Sequence, residues 1–246
     1  MAHSTELPAS KERINKAGEV LRVTAEERRK LGGDYQEALA LVRAYRAAHS
    51  YPLTSVTAGL RHHARKAAGS TPLDLSQRLK QLATITDKLV RMPKSRLARM
   101  QDIGGCRATF VNQDTVDAAI ASVMNRARRG DAWEIVDIDD YVGGEQRRDG
   151  YRAKHVIVRK YGLQIEMQFR TLIQHTWAEL VENLDKAAGL GLKSGRAPEW
   201  SIEAVASAGR DMRRYEVGES DRAQVVRDLN SSLKPILDLA GGATIT

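Results

Sequence analysis

A single cysteine, Cys106, stands in 246 residues. It excludes an internal disulfide and any zinc site built from several thiolates, since both need more than one sulfur. Cys106 lies between Gly105 and Arg107 at the start of an apolar run, where a small buried side chain is the simpler reading and a reactive thiol the alternative. Aromatic residues are also scarce, at 5% of the chain, so the core has to be filled by aliphatic side chains, chiefly Ala and Leu. Long apolar runs are missing. Nothing approaches the roughly 18 consecutive apolar residues that span a bilayer. Glu6, Lys11, Glu12 and Arg13 stand where a signal peptide would need an apolar stretch. The sequence therefore reads as cytoplasmic, with no internal repeat and no low-complexity segment.

What the chain does have is positive charge: 39 Lys and Arg against 31 Asp and Glu give a formal net charge of +8. Such a surface attracts polyanions, which brings nucleotides and RNA forward as partners. The candidate RNA contacts are Arg28-Arg29-Lys30, Arg61-His62-His63 with Arg65-Lys66, Arg126 with Arg128-Arg129, and Arg147-Arg148, each of which also reads as a solvated helix end. His62 and His63 do not suggest zinc. Adjacent helical residues point to different faces, and no third ligand follows at a suitable spacing.

The first hundred residues read as successive helices, with turn signals at Gly32-Gly33, Ser50-Tyr51-Pro52 and Gly69-Ser70-Thr71-Pro72. Leu39, Val42, Tyr45 and Arg46 recur at helical spacing, and Leu75, Leu79, Leu82, Ile85 and Leu89 predict one helix from Leu73 to Arg91 that carries Arg78, Lys80 and Lys88 on its other faces. After Pro93 the pattern changes. Cys106 to Val111 and Trp133 to Ile138 read as strands around a helix from Asp114 to Arg129, a crossover if the strands are parallel neighbours. In Leu163 to Arg170, apolar Leu163, Ile165, Met167 and Phe169 alternate with Gln164, Glu166, Gln168 and Arg170, which puts four polar side chains on one face of a strand. Lys154 to Arg159 is its expected partner, with Gly162 in the turn, and helices follow from Thr171, from Pro198 to Tyr215 and from Asp221 to Leu239. The pattern predicts an α+β fold, a mixed sheet of about five strands flanked by helices. It divides into a helical extension over 1–72, a core over 73–190 and C-terminal helices over 191–246 expected to pack on that core.

Three segments carry residues able to do chemistry. Asp102 stands before the Gly104-Gly105 turn and Arg107 just after it, a place where backbone approaches a ligand closely and an acid can reach an ion, although a plain tight turn has the same look. Asp149 to His155 packs Tyr151, Arg152, Lys154 and His155 together, a stacking ring beside groups that neutralise phosphate. The polar row Gln164, Glu166, Gln168 and Arg170 runs directly into Thr171, His175 and Trp177. An antiparallel strand with a solvated outer face would also show such a row.

Taken in order, Asp102 to Arg107, Gly150 to His155, and Glu166 to Thr171 followed by Trp177-Ala178 resemble the synthetase domain of RelA/SpoT alarmone synthetases. Arg78-Leu79-Lys80 and Lys88 are similar to the basic ATP-binding helix of that family, so the likeness covers about residues 75–186. The resemblance implies a nucleotidyltransferase-like fold and transfer of the β,γ-pyrophosphate of ATP to a ribose 3′-OH. It assigns Asp102 and Glu166 to magnesium binding and catalysis, with Glu166 also accepting the hydroxyl proton. Arg78 and Arg107 would sandwich the adenine; Lys80, Lys88 and Arg152 would meet the phosphates of ATP; Tyr151, His155, Gln168 and Arg170 would line the acceptor side. The implied cofactors are Mg2+ and ATP.

Two departures bear on the details. Relatives carry a Lys-Pro or similar element before the Gly-Tyr-Arg segment, where this chain has Glu145-Gln146-Arg147-Arg148-Asp149, and the chain contains no His-Asp dipeptide of the kind that marks the hydrolase domain of long members. A stand-alone synthetase is expected. One branch of the family makes (p)ppGpp from GDP or GTP, and another, toxic branch modifies the 3′-terminal adenosine of tRNA. The segment Tyr45 to Leu53 with Leu60-Arg61 resembles the toxic and phage-associated group, and the net charge fits a macromolecular acceptor, so tRNA is preferred over GDP or GTP, with a protein antitoxin as a further partner. A non-catalytic RNA-binding protein on the same fold is the alternative from another class, and a nucleotidyltransferase that releases pyrophosphate is a third.

Overall fold

The computed structural model describes residues 7–23, 25–69, 74–130, 133–143, 147–192, 196–242 and 244–246. The turn signal after Gly69 and the Glu145-Gln146 departure lie outside the described residues. The chain divides into two compact units, one of residues 1–108, 114–138 and 155–169, the other of residues 109–113, 139–154 and 170–246.

The elements run α1 (Lys11–Val20), α2 (Ala25–Leu31), α3 (Gly33–Ala48), α4 (Ser50–Ala68), β1 (Asp74–Leu79), α5 (Leu82–Arg91), a short 3-10 turn at Leu97–Arg99, β2 (Gly104–Phe110), α6 (Gln113–Ala127), β3 (Glu134–Asp140), β4 (Lys154–Lys160), β5 (Leu163–Thr171), α7 (Leu172–Ala188), α8 (Glu199–Glu216) and α9 (Arg222–Leu239). Five strands form one mixed sheet in the order β1-β2-β5-β4-β3, which is the α+β architecture expected from the sequence. No helix among the described residues is long and apolar enough to cross a membrane.

Two expectations need correction. The single helix from Leu73 to Arg91 is instead a strand, β1, and a separate helix, α5. Leu75 and Leu79 obey helical spacing by coincidence; hydrogen bonding along the edge of the sheet overrides that local pattern, and only Ile85 and Leu89 are fully buried in α5. The strands on either side of α6 are not neighbours either, because β5 and β4 lie between β2 and β3.

The β4–β5 pairing follows the sequence reading. Two residues join hydrogen-bonded neighbours, so the strands must be antiparallel, and Tyr161 (φ 52°) and Gly162 (φ 77°) both take the left-handed backbone that a two-residue turn of this twist demands. Glycine adopts it freely, whereas Tyr161 does so against the steric preference of a Cβ. In the first unit Ile14, Leu21, Val42, Ile85, Leu89, Leu97, Ile103 and Leu163 share one apolar cluster. In the second, Trp177, Val181 and Leu184 of α7 meet Val205 of α8 and Leu229, Leu233 and Ile236 of α9. Cys106 is buried and its thiol is pushed up to about 12, mainly by burial, so it is a packing residue and not a nucleophile.

Candidate active site

The polar row of β5 is not a solvated face. Along Leu163–Thr171, Leu163, Ile165, Met167 and Phe169 are buried, while Gln164, Glu166 and Gln168 are half-buried on the other side. Glu166 keeps 14% of its side chain exposed and His155, on neighbouring β4, keeps 10%. His155 Nδ1 lies 3.1 Å from Glu166 Oε1, and Gln168 Nε2 donates to Oε2 at 2.6 Å. An ionised carboxylate can only accept, so Nδ1 of His155 carries the proton in this pair. A Cβ on Gly105 would stand 3.7 Å from Glu166 Oε2; the carboxylate therefore lies over the glycine pair of β2, and Arg107, two residues on, shares that face.

Asp102 sits in the turn before β2 with both oxygens engaged. Lys80 Nζ donates to Oδ2 at 2.7 Å and Lys88 Nζ donates to Oδ1 at 3.0 Å. The side chains are sheltered, with 24% of Asp102, 17% of Lys80 and 27% of Lys88 exposed. The link between β1 and α5 is fixed from both sides: Lys80 N donates to the carbonyl of Ile103 at 2.8 Å, and Arg46 Nε of α3 donates to the carbonyl of Lys80 at 2.6 Å. Arg46 is a contributor that the sequence reading had counted merely as part of a helical stripe.

Burial by itself would raise both acids, because an ion loses hydration there. At Asp102 the charges of Lys80 and Lys88 outweigh it and hold the carboxyl below its ordinary range. At Glu166 the His155 hydrogen bond and charge do the same, with the Gln168 hydrogen bond, against an upward push from the charge of Asp102. That push also shows that the two carboxylates are electrostatic neighbours.

The first unit thus holds Arg78, Lys80, Lys88, Asp102, Arg107, His155, Glu166 and Gln168. Arg78 is exposed on β1, beside the strand that carries Arg107. Two carboxylates kept ionised fit Mg2+, which takes one or two protein carboxylates and completes its shell with water and phosphate oxygens. Lys80 and Lys88 already occupy the oxygens of Asp102, so an ion there would have to share or displace an ammonium. No group of three or more His, Cys, Asp or Glu that could hold a metal occurs among the described residues.

The second unit holds Tyr151, Arg152 and Arg170. Arg170 donates to the Tyr151 hydroxyl, and its guanidinium lies 5.0 Å from the ring centre while that of Arg147 lies 5.1 Å away. Two cations thus stand close to the ring, a use of Arg147 that the sequence reading missed because it saw only a basic cluster. Arg152 pairs with Glu216 at the end of α8, whose carboxylate also accepts from Thr171 and from Gln174 Nε2. Nothing local in the sequence signals Glu216. Gly150 (φ 72°) places its Cα against Gly209 of α8, and a Cβ on Gly150 would meet the backbone of Ala206 at 3.1 Å. Gly150→Ala is expected to destabilise the protein by about 1–3 kcal/mol, from the left-handed backbone and a neighbour that cannot retreat. A lowered denaturant midpoint at unchanged slope is the readout, and an unchanged midpoint would refute it.

A five-stranded mixed sheet with flanking helices bears paired acids among lysines and arginines. Residues 77–185 match the family model described as the region found in RelA/SpoT proteins. The solved structures that share the fold include small alarmone synthetase 1 from Bacillus subtilis, at TM-score 0.54 and 24% identity over 73% of this chain and 94% of that one. The same protein bound to its product pppGpp aligns at TM-score 0.56. Small alarmone synthetase 2 from Bacillus subtilis aligns at TM-score 0.57 and 18% identity, over 72% and 95% of the two chains. Uncharacterized proteins of Mycobacterium tuberculosis and Mycobacterium bovis are 31% identical over 148 residues, 56% of this chain, and the chain spans 49% of the length of these curated relatives.

Proposed function

We propose that the chain is a RelA/SpoT-type pyrophosphokinase that moves the β,γ-pyrophosphate of ATP to a ribose 3′-OH. The observation that carries this reading is the pair of sheltered, ionised carboxylates, Asp102 and Glu166, one clasped by two lysines and the other backed by a histidine, inside a RelA/SpoT region. The 3′-oxygen attacks the β-phosphorus, the bond from that phosphorus to the α–β bridging oxygen breaks, and AMP leaves. The hydroxyl proton passes to Glu166, which His155 orients. Lys80 and Lys88, with Arg152, neutralise the phosphate oxygens, and fixed cations do so without reorganisation during the reaction. Arg78 and Arg107 hold the adenine. Asp102 and Glu166 would hold Mg2+, which supplies charge neutralisation at the transferring group when bound.

On the acceptor side Tyr151, with Arg147 and Arg170 close to its ring, offers a ring for base stacking, with His155 and Gln168 as further contacts. The 3′-terminal adenosine of tRNA is the preferred acceptor, supported by the net charge of +8, and the chain would then act as a translation-inhibiting toxin countered by a protein antitoxin. A (p)ppGpp synthetase is the second reading, favoured by the shared fold with a small alarmone synthetase seen with its product pppGpp. The test uses γ-labelled ATP, Mg2+ and either deacylated tRNA or GDP and GTP. Label on the tRNA 3′ end with release of AMP is expected. Label on GDP or GTP alone replaces the acceptor, and release of labelled pyrophosphate with the nucleotide left on the acceptor overturns the reaction class.

A further inference from the structure

Glu216 is a carboxylate in an apolar position. Ser201, Val205, Ala208, Gly209 and Met212 form the buried stripe of α8, and the next turn of that stripe falls on Glu216, whose side chain is 11% exposed. Charged side chains are rarely so sheltered unless they are paired. Both oxygens of this one are engaged: Oε1 accepts from the Thr171 hydroxyl and from Gln174 Nε2, the latter at 3.2 Å, and Oε2 accepts from Arg152 Nη1. Thr171 and Gln174 are themselves fixed, because they cap α7 reciprocally. Thr171 Oγ1 accepts from the Gln174 N–H and Gln174 Oε1 accepts from the Thr171 N–H, each at 3.2 Å. Gln174 Nε2 also donates to Gln113 Oε1 at 3.1 Å. The carboxylate is thus tied down on one side before it meets the arginine on the other.

Arg152 is the partner that this rigidity serves. A long arginine side chain otherwise samples many rotamers, and the ion pair selects one of them. Glu216 occupies one nitrogen of the guanidinium. The Nε–H of Arg152 is buried and has no hydrogen-bond partner among the described residues, so the fork still has a donor to give to an anion. The backbone that carries Arg152 is held by the same helix: Arg148 pairs with Glu199 at the start of α8, and a Cβ on Gly209 would stand 3.0 Å from the Gly150 carbonyl oxygen. Stability alone accounts poorly for an ion pair in this place, since a well-packed apolar pair of similar volume commonly serves a fold as well.

We infer that Glu216 is a positioning residue for pyrophosphate transfer: it aims the Arg152 guanidinium at the phosphates of ATP, so that α8 serves the reaction as well as the core. This rests on the pyrophosphokinase reading of Arg152. The test measures kcat/KM for ATP in the native full chain, in E216Q, in R152A and in the R152A/E216Q double variant. E216Q is expected to lose about tenfold to a hundredfold. In the R152A background the same substitution costs less than about twofold more, because a residue that acts through another has nothing left to act on. A merely structural role gives equal losses in both backgrounds, and that outcome overturns the inference, as does an E216Q rate within about twofold of the native one. E216D, which keeps the charge but falls one methylene short of Arg152, carries the same cycle should E216Q fail to fold. If no acceptor receives label from ATP, the pyrophosphokinase reading fails, and the same proteins are titrated calorimetrically with α,β-methylene-ATP. Non-additive losses of affinity then uphold the aim of Arg152 at phosphate, whereas additive losses, or no binding by the native chain, overturn it.

Discussion

Glu166→Gln is expected to lower pyrophosphate transfer by about a thousandfold while leaving the cooperative unfolding of the protein nearly unchanged. The amide keeps the shape and can still meet Gln168, but it can neither take a proton from the attacking hydroxyl nor balance the cations around it. His155 loses the carboxylate that accepts from its Nδ1 at 3.1 Å, so the base and its orienting group fail together. The structural cost is smaller because Gln replaces a sheltered ion with a neutral group, which relieves the burial penalty acting on the carboxylate. Since His155 and Gln168 hold the Glu166 carboxyl below its ordinary value of 4.5, it remains ionised throughout the neutral range, and any loss of kcat/KM that its own protonation causes must fall below that pH. Transfer by the Gln variant within tenfold of the native rate, measured with saturating ATP, would remove Glu166 from the reaction.

How much of this site could be read from sequence depended on whether a residue's partner was nearby in the chain. The alternation around Glu166 was legible because a strand repeats every two residues, and its partner β4 lay across a two-residue turn. Lys80 and Lys88 were found by resemblance yet placed on one helix, since the leucines around them keep helical spacing whether or not the segment pairs into a sheet. The clasp on Asp102 involves separations of 22 and 14 residues, and no pattern in the sequence encodes it. Glu216 was unreadable for the same reason: it meets Arg152 from 64 residues away, at the end of a helix whose own periodicity speaks only of its apolar face. Arg46 illustrates the converse. Its position in a helical stripe was correctly seen, but its use in holding the Lys80 carbonyl, 34 residues on, is tertiary.

Asp102→Asn tests the other acid and separates chemistry from folding by magnitude. Activity is expected to fall by about a hundredfold to a thousandfold, because Lys80 and Lys88 lose the group that aims them and the site loses one of its two anions. Stability is expected to fall by about 1–3 kcal/mol, since two sheltered ammonium groups are left facing each other without a counter-charge. A domain of this kind has on the order of 5–15 kcal/mol in hand, so the variant stays folded at 25 °C and the rate loss reports on the site. The pH dependence gives a second, sharper readout. The folded carboxyl of Asp102 lies below its ordinary value of 3.8, held there by Lys80 and Lys88 against burial, so it contributes stability that is complete above that value and disappears as pH falls through the folded one. The stability difference between the native protein and Asp102→Asn should therefore be constant from neutral pH down to about pH 5 and close only under more acid conditions. Denaturant midpoints across that range measure it, and a difference that closes between about pH 5 and 7 would mean that Asp102 is not the ion the two lysines hold.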